Sequence, residues 1–246
     1  MKFYILLFFA LLSLNSVTGF AGLSWKEERG LLEKNLSFQE HKSQILQESQ
    51  GSWCSSEKAS LLMDFVFLRK PKVCVEIGVF AGATILPIAS TLKHIKKGKI
   101  FAVDAWDNVE AVKYWKIEDE HKKWWSSIDM KEVFSSFLEM KKKRQLDPYV
   151  RVVAKTSAKA ATVLPPIDFI HIDGNPSKEG FLQDLLLYLP KVKIGGYVFF
   201  SNLLVSEGVS LPKVEALFLL PSFFLSYELV EEIEQGNACL LKKIHD

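Results

Sequence analysis

The stretch Val73-Cys-Val-Glu76-Ile-Gly78-Val-Phe-Ala-Gly82-Ala-Thr84 places the strongest constraint on the fold. A short β-branched run ends in an acid. Two glycines follow, four residues apart, and a helix-like segment begins. The pattern describes a strand, a tight turn and a helix N-terminus. Free backbone N–H groups and the helix dipole at such a start favour a charged or ribose-bearing ligand. A glycine there lets a ligand approach the backbone, because no Cβ intervenes.

The rest of the chain continues the alternation. A helix over 56–68 is stopped by Lys70-Pro71. Strands are expected at 73–77, 100–104, 149–154, 167–173 and 197–201. Helices are expected at 83–92, 157–164, 181–189 and 214–220, the first kinked by Pro87. Gly195-Gly196 reads as a turn. Segments 223–230 and 238–244 read as two more strands, joined in a hairpin through Gln235-Gly236-Asn237. Strands alternating with helices predict an α/β fold with a doubly wound, mostly parallel, seven-stranded sheet and a C-terminal antiparallel hairpin.

The N-terminus differs in kind. Lys2 precedes an apolar run over 3–14, and small residues follow near Gly19 and Ala21. Residues 1–21 therefore read as a secretory signal peptide cleaved after one of those two, which implies export to a secreted or periplasmic location. The apolar run is short for a membrane span. An uncleaved membrane anchor stays open, because no charge falls between Lys2 and Lys26. Residues 22–52 read as a helical leader, and 53–246 as the ligand-binding domain.

The formal charge of +2 gives no reason to expect nucleic acid as a partner. Lys141-Lys-Lys-Arg144 reads as a solvated helix end or an anionic partner surface. The three cysteines, Cys54, Cys74 and Cys239, are too few and too scattered for a disulfide framework, and no cysteine–histidine spacing suggests zinc.

Ligands of doubly wound sheets bind outside the carboxyl ends of the strands. The polar residues falling there are Glu76, Gly78, Asp104, Ser157, Asp173 and Ser201-Asn202. Asp104 follows Gly78 by 26 residues, where an acid can accept hydrogen bonds from both ribose hydroxyls. His171 reads as a hydrogen-bonded core histidine. The segment 106–145 carries Trp106, Tyr114, Trp115, Trp124 and Trp125. It reads as a cap over a flat or aromatic acceptor, or as a helical pair packed by its own aromatics.

The ordered set resembles the class I S-adenosylmethionine-dependent methyltransferases. Glu76-Ile-Gly78-Val-Phe-Ala-Gly82 is similar to their first motif and Phe101-Ala-Val-Asp104 to the second. Ile167-Asp-Phe-Ile-His-Ile-Asp173-Gly174 and Lys193-Ile-Gly-Gly196-Tyr-Val-Phe are similar to the fourth and fifth. The resemblance covers about residues 55–244. It is closest to small-molecule O-methyltransferases of the catechol and caffeoyl-CoA type, and to a bacterial group with an HIDGxHxYE strand end.

The resemblance implies a Rossmann-like methyltransferase fold and S-adenosyl-L-methionine as cofactor. Gly78, Val79, Phe80 and Gly82 would face its methionine part, with Glu76 supporting that loop. Asp104, with Ala105 beside it, would hold the ribose. Ser157 would sit near the adenine. Asp173 would lie beside the sulfonium and the acceptor, where a carboxylate favours the cation. The implied partner is a small-molecule acceptor, aromatic in one reading, methylated on oxygen. A homodimer is compatible with the resemblance.

Two departures bear on the chemistry. Metal-dependent members present an acid at the fourth strand end and Asp-Asn at the fifth, which together hold a divalent cation. Here Asp173 and Asn202 remain, but Ser201 replaces the second acid. Where those enzymes carry a lysine base, this chain has Pro176. Against the bacterial pattern, Pro176 replaces the histidine, Lys178 the tyrosine, and Ser201-Asn202 the closing His-Asp. The expectation is therefore no metal, with Asp173 and Lys178 left as candidate catalytic groups. A non-catalytic cofactor-binding module and a nicotinamide-dependent oxidoreductase stay open as alternatives. The glycine spacing argues against the second of these.

Overall fold

The computed structural model describes residues 2–13, 23–49, 52–114, 120–205 and 210–246. The sheet runs through β1 (Val73–Ile77), β2 (Lys99–Asp104), β3 (Val150–Ala154), β4 (Ile167–Ile172), β5 (Val192–Phe200), β6 (Tyr227–Ile233) and β7 (Ala238–Lys243). Its order is β3-β2-β1-β4-β5-β7-β6. The first five strands pair in parallel, and β7 pairs antiparallel with both β5 and β6. The seven-stranded, doubly wound expectation holds. The chain leaves β1 for β2 and β3, then returns to β4 on the other side of β1. That reversal opens a crevice over the carboxyl ends of β1 and β4.

Helices cover both faces because the central strands are apolar on both faces. On one face Val75, Ile77, Ile170, Ile172, Val198 and Phe200 join one core, and on the other Cys74, Phe169 and Phe199 join a second. Against the second face pack α2 (Trp25–Leu32), α3 (Leu36–Glu48), α4 (Ser56–Arg69), α5 (Ile85–His94) and α8 (Met130–Lys143). Two short helices, α6 (Asn108–Ala111) and α7 (Glu120–Ser127), precede α8. Against the first face lie α9 (Ser157–Ala161), α10 (Lys178–Tyr188), α11 (Pro212–Phe218) and α12 (Phe223–Ser226).

The leader is tied down by charge as well as by apolar contact. Arg29 reaches Asp64 at 3.0 Å and Glu231 at 2.6 Å, and Lys42 reaches the same buried Asp64 at 2.6 Å. Residues 2–13 form a further helix, α1 (Lys2–Ser13), with Phe8 and Leu12 buried in the first core. The Phe8 ring meets Phe224 edge-on at 5.9 Å. Among the described residues no helix is long and apolar enough to cross a membrane. Gly19 and Ala21, the expected cleavage positions, lie outside the described residues.

Three local expectations are corrected. Pro87 does not kink α5. It is the third residue of that helix, where a missing N–H is among those already without intrahelical partners. Gly195-Gly196 is not a turn before β5 but an irregularity within it. Ile167 pairs with Val192 and Phe169 with Tyr197, so extra residues loop out there, and Gly195 takes φ +78°. Residues 223–226 form the short helix α12 rather than the start of a strand. All three cysteines are buried and unpaired.

Candidate active site

The crevice over β1 and β4 is a cleft of about 890 Å³. Glu76, Gly78, Val79, Phe80, Gly82, Asp104, Ala105, Ser157 and Asp173 all border it. One surface thus gathers nine sequence-predicted residues from four strand ends.

The glycine turn is built by crowding. The Gly78 N–H donates to Val103 O at 3.0 Å, and the Asp173 N–H donates to Ile77 O at 2.9 Å, so three strand exits converge there. Gly78 takes φ +83°, and a Cβ on it would lie 2.2 Å from the Asp173 carbonyl oxygen. Asp104 then fixes the turn. Its Oδ2 accepts the Phe80 N–H at 2.9 Å and its Oδ1 the Trp106 N–H at 2.8 Å. Both donor residues have positive φ, 49° and 45°. Burial pushes the Asp104 carboxyl up, opposed by these backbone donors.

Beneath the turn lies a buried polar floor. Glu76 Oε1 is 3.4 Å from His171 Nδ1. Glu76 Oε2 and His171 Nδ1 have no hydrogen-bond partner among the described residues. Burial pushes the Glu76 carboxyl up, against the charges of His171 and Lys58. His171 Nε2 shares a hydrogen bond with Ser201 Oγ at 2.9 Å, as a core histidine should. Asp173 is about one-fifth exposed, at 21%. It accepts from Asn202 Nδ2 at 3.0 Å and from Lys213 Nζ at 3.1 Å. Burial raises its carboxyl, but Lys213, His171 and Lys58 outweigh that and hold it well below the usual carboxylate range. Such a carboxylate binds cations well and takes protons poorly at neutral pH.

At the other end Ser157 opens α9, whose cap is Thr156. The Ser157 carbonyl accepts from the Tyr188 hydroxyl at 2.7 Å. Burial pushes the neighbouring Asp184 carboxyl up to about 6, against a hydrogen bond from Ser157 and the charge of Lys213. An unfolded aspartate titrates near 3.9, so the folded state holds this proton more tightly. The resulting stability is full below about pH 4 and is lost as pH rises through 6, on the order of 3 kcal/mol. Asp184→Asn should gain stability relative to the parent as pH rises across that window. Chemical denaturation at pH 4.5 and 7.5 reads the difference, and parallel curves would count against it.

The methyltransferase domain family matches residues 75–203, which hold the glycine turn, Asp104 and Asp173. The chain belongs to this family. Three solved structures share the fold. The O-methyltransferase NovP has 18% identity and a TM-score of 0.58, over 78% of this chain and 81% of that one. The O-methyltransferase from Bacillus cereus, solved with S-adenosylhomocysteine, has 15% identity and a TM-score of 0.54, over 84% and 91%. TomG from Streptomyces achromogenes, solved with S-adenosylmethionine, has 13% identity and a TM-score of 0.55, over 84% and 90%. No curated protein matches the sequence.

In this methyltransferase the two groups expected to handle protons are unequally placed. Asp173 faces the cleft. Lys178 lies at the start of α10, 39% exposed, with its Nζ 3.4 Å from Glu215, and does not border the cleft. Of the lysines that do border it, Lys113, Lys159 and Lys213, the one that reaches Asp173 is Lys213, which the sequence did not single out. Its signal was available. Lys213 shares the buried stripe of α11 with Ala216 and Leu217, an odd position for a lysine.

Lys213 also decides how the metal pattern fits. Its Nζ already sits on Asp173, and Ser201 Oγ is turned to His171. A divalent cation at Asp173 would meet like charge at close range with one carboxylate to hold it, so these residues do not fit the three-ligand site of metal-dependent members.

The tryptophan-rich segment divides. Trp106 is core: its ring lies 4.4 Å from Phe134 and its Nε1 donates to Phe80 O at 2.9 Å. Tyr114 and Trp125 border the cleft, and Trp115 lies outside the described residues. Trp53, just after the leader, was not anticipated. It is 61% exposed, stacks on Phe80 at 4.9 Å and meets Trp124 and Trp125.

Proposed function

We propose that the protein transfers a methyl group from S-adenosylmethionine to an oxygen of a small molecule. The observation that carries this is one cleft in which the glycine turn, Asp104, Glu76 and Asp173 face a common space. The Asp104 carboxylate on the cleft wall suits a ribose diol. The unpartnered Glu76 Oε2 suits the ammonium of the methionine part. When bound, the cofactor supplies a methyl group already activated on a sulfonium. The chain's residues orient it and hold Asp173, an anion, near that cation. The aromatic rim of Trp53, Phe80, Tyr114 and Trp125 suits a flat acceptor.

Titration of the full chain with S-adenosylhomocysteine and with NAD tests the reading. Saturable binding of the first and none of the second is expected, and the reverse would overturn it. A second reading, binding without turnover, is favoured by the position of Lys178 on Glu215. It predicts cofactor binding with no release of S-adenosylhomocysteine for any phenol offered. We further propose that residues 1–21 direct export. Intact mass of the mature chain tests this: a retained N-terminus would instead keep Phe8 and Leu12 in the core.

A further inference from the structure

We propose that Lys213 is the group that reads the acceptor, binding its oxygen in ionised form so that no separate base is needed. The proposal deepens the functional reading above and rests on it. The Lys213 side chain is 2% exposed, yet it borders the cleft. An ammonium has three N–H donors. Among the described residues two acceptors are present, Asp173 Oδ1 at 3.1 Å and the Ser201 carbonyl at 2.9 Å. The Phe181 ring lies 5.3 Å from Nζ and closes its apolar side. The third donor is left for the cleft.

A purely structural role explains less. A buried ion pair is weak support for stability, because desolvation offsets the attraction. Here the pair is also placed with its partners on the ligand face. Asp173 and Asn202 stand at the carboxyl ends of β4 and β5, and Lys213 enters from α11 to join them. The cluster is a fixed positive charge with an anion beside it. A neutral hydroxyl gains little from such a charge, whereas an oxyanion gains a charge-assisted hydrogen bond.

The chemistry balances without a further reagent. A phenol loses its proton to solvent on binding, and Lys213 holds the oxygen that remains. The oxygen lone pair forms the new C–O bond as the C–S bond breaks toward sulfur. The oxyanion becomes a neutral ether and the sulfonium a neutral thioether. The ether no longer attracts Lys213, which favours product release.

The test uses the full chain saturated with S-adenosylhomocysteine and 4-nitrophenol as probe, whose ionised form absorbs visible light. The parent protein should bind the phenolate and lower the probe's apparent pKa. Lys213→Met should weaken phenolate binding by about 10- to 100-fold, the loss of one charge-assisted hydrogen bond, and remove the pKa change. Lys213→Arg should restore both in part, and affinity for S-adenosylhomocysteine should hold in each variant. Should Lys213→Met fail to fold, Lys213→Gln, which removes the charge but keeps a donor for Asp173, serves in its place. Phenolate affinity equal to the parent's in either variant overturns the proposal. So does a parent that binds S-adenosylhomocysteine but not the phenolate. A parent that binds no S-adenosylhomocysteine strikes the cofactor reading instead.

Discussion

Asp104→Ala is expected to weaken S-adenosylhomocysteine binding by at least about 100-fold, the loss of two hydrogen bonds to a charged acceptor. Asp104 borders the cleft, where the proposed ribose diol would donate to its two oxygens, which also accept the backbone N–H groups of Phe80 and Trp106. The same carboxylate holds two residues at positive φ, so alanine also releases the turn that carries the ligand. Asp104→Asn separates the two effects. It keeps one acceptor oxygen and the side-chain shape, and should lose less. Calorimetry at fixed salt measures both variants. Unchanged affinity in Asp104→Ala would remove Asp104 from the site.

Gly78→Ala should be strongly destabilising. The new Cβ would stand 2.2 Å from the Asp173 carbonyl oxygen and 2.8 Å from Gly174 Cα, both backbone atoms that cannot swing aside. The residue would also keep a left-handed φ of +83°. A loss of about 3–5 kcal/mol follows from clash and strain together, a fall in Tm of roughly 6–20 °C for a domain of this size. Gly82→Ala is the control. Its Cβ meets the side chains of Phe137 and Met140 at 2.7 and 2.8 Å, and the Met140 end is flexible. Thermal melts should rank Gly78→Ala below Gly82→Ala, and the opposite order would refute the crowding argument.

That contrast also shows what the sequence could and could not convey. Period, strand chemistry and turn residues are local, so the seven strands and the polar rim that borders the cleft were legible from them. The role of Gly78 was only half legible. Its place beside a ligand follows from the motif, but its contact with Asp173 joins two strands nearly a hundred positions apart. Lys178 and Lys213 differ for the same reason. Nothing near Lys178 announces Glu215, its partner on a later helix. Lys213 sits past Asn202 in a stretch with no motif, and only its place on an apolar helix stripe hints at burial. Trp106 stayed open between two readings because aromatic clustering alone does not separate a core ring from a ligand-facing one. The difference lies in its indole N–H, which is spent on the Phe80 carbonyl.

The buried cysteines carry a consequence of another kind. Burial pushes the Cys54 thiol up to about 12 and raises Cys74 and Cys239 as well. Disulfide exchange needs a thiolate and access to it, and these sulfurs offer neither at neutral pH. The folded chain should therefore cross between reducing and oxidising surroundings without acquiring a bridge or losing a thiol.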